Sequence, residues 1–160
     1  MLRKGIPSDF EALYEIYMDP SVNPYLSFEI MPPQEFKPIF DELTQENDLY
    51  IYEIERKIAA TCIIKKLTRR CQHVALLGTL ATHPHLHGKG IGTKFMQDII
   101  RILKKEGFKR LELSFEADNL IGEKFYHKLG FKLEGTLKNW FKRAHDTHYV
   151  DEHIMALLLD

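Results

Sequence analysis

Six residues, His87-Gly88-Lys89-Gly90-Ile91-Gly92, restrict the folds open to this chain more than any other stretch. Upstream lies an apolar run, Val74-Ala-Leu-Leu-Gly-Thr-Leu-Ala81, ending at Thr82-His83-Pro84. Downstream, Ile91, Phe95, Ile99 and Ile102 recur at helical spacing, with Lys94, Gln97, Asp98 and Arg101 between them. The pattern therefore passes from a buried strand to an amphipathic helix across one glycine-rich turn. Such a turn aims unpaired backbone N–H groups and the positive end of a helix dipole at one point, which suits a phosphate. Glycine leaves space for the anion to approach and permits the positive φ such turns use. An ordinary strand-to-helix turn has the same pattern, so the rest of the chain must decide.

The 160 residues suffice for one domain with a sizeable core. Hydrophobic residues make up 44% and charged residues 28%, a soluble globular balance. A net charge of −1 argues against a nucleic-acid or acidic-membrane partner. No apolar run approaches the ~18 residues of a membrane span, and Met1-Leu-Arg-Lys-Gly-Ile-Pro-Ser-Asp9 lacks the apolar core of a secretory signal. Cys62 falls in an apolar strand-like run and Cys71 in a basic turn, so no disulfide framework is indicated. A reducing cytoplasm is the expected compartment.

Ser8 followed by Glu11 predicts a capping box opening a helix over 9–18, with Phe10, Leu13, Ile16 and Tyr17 inward. Residues 20–33 carry four of the seven prolines and read as an irregular connection. Its Tyr25, Leu26, Phe28 and Met31 are apolar enough to pack over a core or line a pocket. A second helix is expected over 34–46. Residues 49–55 and 58–64 read as a hairpin turning at Arg56-Lys57, followed by a basic turn with Lys65, Lys66, Arg69 and Arg70. That turn reads as a solvated hairpin tip, because no aromatic residue is interleaved with it. A strand over 73–82, the glycine turn and a helix over 90–106 stopped by Gly107 come next. A strand over 109–115, a helix over 120–129 with Ile121, Phe125 and Leu129 on one face, and strands over 131–142 and 148–159 complete the chain. With no repeat or linker, this is one α/β (α+β) domain.

The stretch Leu80-Ala-Thr-His-Pro-His-Leu-His-Gly-Lys-Gly-Ile-Gly92, then Asn119, then Phe125-Tyr126-His-Lys-Leu-Gly-Phe131, resembles the GNAT superfamily of N-acetyltransferases. The element order β-α-α-β-β-β-α-β-α-β-β is similar to that superfamily over essentially the whole chain. The C-terminal part, Gly130 to Lys138 and Tyr149 to Met155, looks like the branch holding bacterial amino-acid and ribosomal-protein N-acetyltransferases. The resemblance implies a single domain over 1–160, with a mixed sheet of about seven strands flanked by about four helices, and acetyl-coenzyme A as donor. It implies that backbone amides of His87, Gly88, Lys89, Gly90, Ile91 and Gly92 hold the pyrophosphate, with Lys89 adding charge. Leu80, Ala81 and Thr82 would pair with the pantetheine arm as an added strand and present an oxyanion donor. Asn119 would hydrogen-bond the pantetheine. Tyr126 would be the general acid, a phenol of reference pKa about 10 protonating the departing thiolate. Read without the resemblance, Tyr126 is a core aromatic five residues after Ile121; the resemblance turns the reading to the acid.

The chain departs from the family at His87, where arginine or glutamine is usual; imidazole still donates a hydrogen bond, more strongly when protonated. The base is open. Some relatives carry a carboxylate at the position of Ser114, whereas here Glu112 and Glu116 lie two residues to either side on the same strand face. Either could act through water, and either could equally be a surface carboxylate on a strand edge. Asp151 and Glu152 could instead bind a substrate ammonium. His83, His85 and His87 alternate, but the loop context favours separate imidazoles over a metal site, and acetyl transfer requires no metal.

The leading expectation is direct acetyl transfer to a primary amine of a small molecule or amino acid within a ternary complex. A ribosomal-protein-type acceptor is the alternative, as is a coenzyme A-binding sensor without catalysis; a homodimer is compatible with either. A dinucleotide-binding oxidoreductase is disfavoured: Glu112 falls near the required spacing, but no further βαβ units accompany it.

Overall fold

The hairpin near the N-terminal third turns one residue earlier than expected. In the computed structural model, which describes residues 1–45 and 48–160, β2 (Leu49–Ile54) and β3 (Lys57–Lys66) pair antiparallel from Leu49↔Ile63 to Ile54↔Lys57. The two turn residues are thus Glu55 and Arg56, at φ 49° and 65°. Two consecutive positive φ values give the tight turn whose twist matches the strands. Neither residue favours that conformation, so the register of the buried strand faces imposes it.

The remaining elements are β1 (Leu2–Lys4), α1 (Phe10–Tyr17), α2 (Pro33–Gln45), β4 (Val74–Thr82), α3 (Ile91–Lys105), β5 (Arg110–Glu116), α4 (Leu120–Lys128), β6 (Lys132–Phe141) and β7 (Val150–Leu158). The predicted end of the second helix at Glu46 lies outside the described residues. The seven strands form one mixed sheet in the order β1-β2-β3-β4-β5-β7-β6, as expected for the fold class. Among the described residues, no helix is long and apolar enough to cross a membrane. Packing divides the chain into two units: Met1–Lys65 with Gly78–Met96, and Lys66–Leu77 with Gln97–Asp160.

In the first unit, α1 and α2 bury Leu13, Ile16, Tyr17, Phe36 and Phe40 against Leu49 and Ile51 of β2, Ile58 of β3 and Ala81 of β4. The predicted Ser8/Glu11 capping box is replaced by a different device. Pro7–Asp9 form a short 3-10 turn, and Asp9 precedes α1 with its carboxylate turned back to accept from Ile6 N at 2.9 Å. Arg3 draws it there, donating to Asp9 at 2.7 and 2.8 Å and to Glu53 at 2.7 and 2.9 Å, a bidentate contact that joins β1, the turn and β2. The proline-rich segment packs on the core as expected at Leu26, Phe28 and Met31, but Tyr25 is 44% exposed. Buried Asn23 fastens it, donating to Tyr17 O at 3.0 Å and Phe28 O at 3.1 Å.

The second unit is built on an antiparallel ladder. β5 pairs with β7 from Arg110↔Leu158 to Glu116↔Glu152, and β7 pairs with β6 across two register shifts. Parallel pairing of β4 with β5 runs from Val74↔Arg110 to Leu77↔Leu113. The predicted stop after the long helix is present: Gly107 adopts φ 87°, and Phe108 N donates to Leu103 O at 3.0 Å. The inward face expected for α4 is corrected at its start. Ile121 is 81% exposed, because it lies in the first helical turn beyond the end of β5, while Phe125 and Leu129 are half-buried.

Candidate active site

The first unit holds the glycine loop. β4 leaves regular geometry at Thr79, whose φ of 47° is a strained value for a β-branched residue. Past Thr82 the chain is anchored by His83 N donating to Ala59 O at 2.9 Å, then makes a 3-10 turn over Pro84–Leu86. His83 Nδ1 accepts from His85 N at 3.3 Å. His87 Nε2 lies 2.9 Å from Thr82 O, and since a carbonyl oxygen only accepts, the ring is the donor. His87 therefore clips the loop's first residue to the end of β4. That arrangement commits the Nε2 proton to the scaffold, where the sequence suggested a donor aimed at an anion. Among the described residues, no group of three or more His, Cys, Asp or Glu is arranged to hold a metal ion.

Gly88 and Gly90 adopt φ of 74° and 75°. A Cβ built on either would meet no atom within 4 Å, so the space in front of this backbone is open. Lys94 N donates to Gly90 O at 3.1 Å, which makes Gly90 the residue that opens α3. The amides of Ile91, Gly92 and Thr93 lie in the first turn, where helix geometry supplies no carbonyl partner. Exposed Lys89 stands beside them. Open backbone, first-turn amides and a positive helix end together form a cradle whose donor set fits a pyrophosphate.

The second unit holds the other predicted residues, around the end of β5. Asn119 caps α4, its Oδ1 accepting from Gly122 N at 2.8 Å. Gly122 is required for this cap, since a Cβ there would sit 2.6 Å from Asn119 Nδ2. One helical stretch on, the Tyr126 ring lies among Phe115, Phe125 and Phe131 at centroid distances of 5.4, 5.3 and 5.9 Å. Gly130, at φ 95°, reverses the chain so that Phe131 N reaches Tyr126 O at 3.1 Å and Phe131 is buried. The spacing from Tyr126 to Gly130-Phe131 is thus a packing motif that fixes the phenol.

Glu116, adjacent to Phe115, projects to the opposite face of β5 from that aromatic cluster. It is only 7% exposed, and its Oε2 is a buried side-chain oxygen without a hydrogen-bond partner. Burial pushes its carboxyl up to about 6; Glu152 and Asp118 add to the rise, while a backbone hydrogen bond and the Arg143 guanidinium oppose it. The neighbouring candidates are engaged elsewhere. Glu112 accepts from Arg110 at 2.7 and 3.1 Å, and Asp151 accepts from Lys138 Nζ at 2.8 Å and Asn139 N at 3.0 Å. Ser114 is exposed on the same face as Glu116.

A raised pKa is also a statement about stability. Between roughly pH 4.3, the ordinary glutamate value, and about 6, folded Glu116 holds a proton that the unfolded chain releases. Stability therefore falls as pH rises through that window, by about 2 kcal/mol in total. Glu116→Gln should raise stability by about that amount at pH 7.5 and by almost nothing near pH 4. Urea midpoints measured at both pH values check this, and an equal change at the two would remove burial as the cause.

The profile of the Acetyltransferase (GNAT) family matches residues 10–131. The chain belongs to this family. N-alpha-acetyltransferase 50 of Danio rerio is 33% identical over 87 residues, which cover 52% of this chain and 50% of that protein. The [Ribosomal protein bS18]-alanine N-acetyltransferase of Haemophilus ducreyi is 24% identical over 162 residues, covering 99% and 100%. The chain spans about half the length of the first curated relatives it matches. Among solved structures, a GNAT superfamily phosphinothricin acetyltransferase from Sinorhizobium meliloti in complex with AcCoA superposes with a TM-score of 0.78 at 19% identity, covering 99% of this chain and 88% of that one.

This GNAT chain also uses a residue that the sequence did not single out. Arg143, in the β6–β7 connection, is 8% exposed and donates to both oxygens of Asp118 at 2.9 and 3.1 Å. Its backbone N and Nη1 reach Asp146 Oδ2 at 2.9 and 3.3 Å, and its guanidinium lies 4.9 Å from the Phe141 ring centre. The one local signal was the Arg143/Asp146 spacing, which any exposed turn can carry.

Proposed function

We propose that this GNAT chain, acting as one domain over residues 1–160, transfers the acetyl group of acetyl-coenzyme A to a primary amine of a small molecule or amino acid. The observation that carries the reading is the open, positive-φ backbone at Gly88 and Gly90 leading into the start of α3. Amides from His87 to Gly92 bind the pyrophosphate, with Lys89 adding charge. Leu80, Ala81 and Thr82 pair with the pantetheine arm, and one of their N–H groups faces the thioester oxygen. Asn119 keeps its Oδ1 on the α4 cap and turns its Nδ2 donors to the pantetheine.

Glu116, through water, takes one proton from the acceptor ammonium, and the amine nitrogen attacks the thioester carbon. The carbon–sulfur bond breaks. The second proton leaves the nitrogen for solvent as Tyr126 protonates the thiolate and is then reprotonated, so amide, thiol and one released proton balance the equation. An α-amine of a protein is the second reading, supported by the names of the two relatives above.

Acetyl-coenzyme A at 100 times its Kd should stabilise the fold by ~2.7 kcal/mol, a rise in Tm of about 5–10 °C for a chain of this size. Gly88→Ala should cost ~1–2 kcal/mol of stability through its positive φ, lower the starting Tm accordingly and reduce the ligand-induced rise. A thermal-shift series checks both, and no rise in the parent protein at saturating ligand would sink the reading.

A further inference from the structure

The face of β5 that carries Glu116 is continued across the ladder. Glu116 is the register partner of Glu152, Ser114 that of Ile154, and Glu152 is in turn opposite Leu137 of β6. Register partners share a face, with Cβ atoms ~5 Å apart. Two carboxylates therefore stand side by side, flanked by half-buried Leu137 and Ile154 and by exposed Ser114. The nearby guanidinium does not neutralise them by hydrogen bonding in the contacts described above: Arg143 is engaged by Asp118 and Asp146, and Glu116 Oε2 is buried without a partner. Three carboxylates, those of Asp118, Asp146 and Glu116, thus act on the Arg143 guanidinium, and a fourth, Glu152, acts on Glu116.

We propose that Glu116 and Glu152 form a cation-binding pair that holds the acceptor as an alkylammonium and selects amines with no carboxylate beside the amino group. The proposal rests on the acetyl-transfer reading for the acceptor's role and narrows its substrate class. An ammonium held at half-buried Glu152 brings three donors and a full charge; through the water that links it to Glu116 it satisfies the orphaned oxygen, and it offsets the repulsion between the two glutamates. Leu137 and Ile154 offer apolar contact to a methylene stem. A free α-amino acid would bring its own carboxylate into the same acidic surroundings, where the Arg143 guanidinium is already engaged by Asp118 and Asp146. Discrimination against it arises from repulsion as well as from lost contact.

The test is calorimetric titration of the full chain, saturated with coenzyme A, using n-pentylamine, leucinamide and leucine. Pentylamine and leucinamide are expected to bind, with leucine at least about tenfold weaker than its amide. Glu152→Gln should weaken both amines about tenfold, leave leucine where it was and leave the coenzyme A Kd unchanged. Equal binding of leucine and leucinamide overturns the pair, as does an unaltered amine Kd in the variant or no amine binding at all. A tripeptide amide that binds tenfold tighter than pentylamine overturns the choice of a small alkylamine. Thiol release from acetyl-coenzyme A, followed alongside, separates the two readings. Selective binding without release keeps the pair and sinks acetyl transfer, whereas release without selectivity sinks the pair alone.

Discussion

Tyr126→Phe is expected to lower kcat by about 10²- to 10³-fold, ~3–4 kcal/mol of transition-state stabilisation. The Kd for acetyl-coenzyme A should change by less than about threefold. Phenylalanine keeps the ring among Phe115, Phe125 and Phe131, so the packing that holds α4 at the end of β5 survives and Tm should move little. What disappears is a proton donor whose reference pKa, about 10, is near that of the thiol it serves, at about 8.5. The departing thiolate would then have to take its proton from solvent. Steady-state thiol release, with calorimetry for the cofactor, measures the two effects separately. A kcat within threefold of the parent would reduce Tyr126 to an aromatic of the cluster, the alternative its sequence context also allowed.

The loop and the helix after it were legible because each residue there acts locally. Gly88 and Gly90 take the positive φ that glycine suits, Gly107 ends α3, and the strand-to-helix change of period marks the junction between them. The family motif extends that reading to Asn119 and Tyr126. Asn119 adds something the motif alone did not indicate, a cap on α4 that depends on Gly122.

Where distant residues decide, the sequence was a poorer guide. Ser8 and Glu11 have the spacing of a capping box, yet Arg3 draws Asp9 into a bidentate pair and the chain enters α1 differently. Glu55-Arg56 carries no turn signature, and the register of β2 on β3 forces the conformation. Ile121 has the spacing of an inward residue but lies beyond the end of the strand that would cover it. The environment of Glu116 was the least accessible, since the charges acting on its carboxyl come from Arg143, far along the chain, and from Glu152 across the ladder. No local pattern encodes such a meeting.

The largest effect on stability is expected from Phe36→Ala, at about 3–5 kcal/mol. Phe36 is fully buried in α2, and its ring lies 5.7–6.4 Å from those of Phe10, Tyr14, Tyr17, Phe28 and Phe40. Truncation removes the transfer energy of a whole ring and leaves a cavity lined by other rings, which are too stiff to collapse into it. Five aromatic contacts are lost at once, and because they share one ring their energies do not add separately. Tm should fall by roughly 10 °C, and the urea midpoint should move in proportion. The effect should also be uneven within the first unit. Phe28 loses its α2 partner, while Asn23 still fastens the segment to Tyr17 O. Residues 20–33 should therefore become the first site of protease cleavage under native conditions. A loss below about 1 kcal/mol would show that the cluster repacks around the gap. An unchanged cleavage pattern would mean that Asn23 alone holds the segment in place.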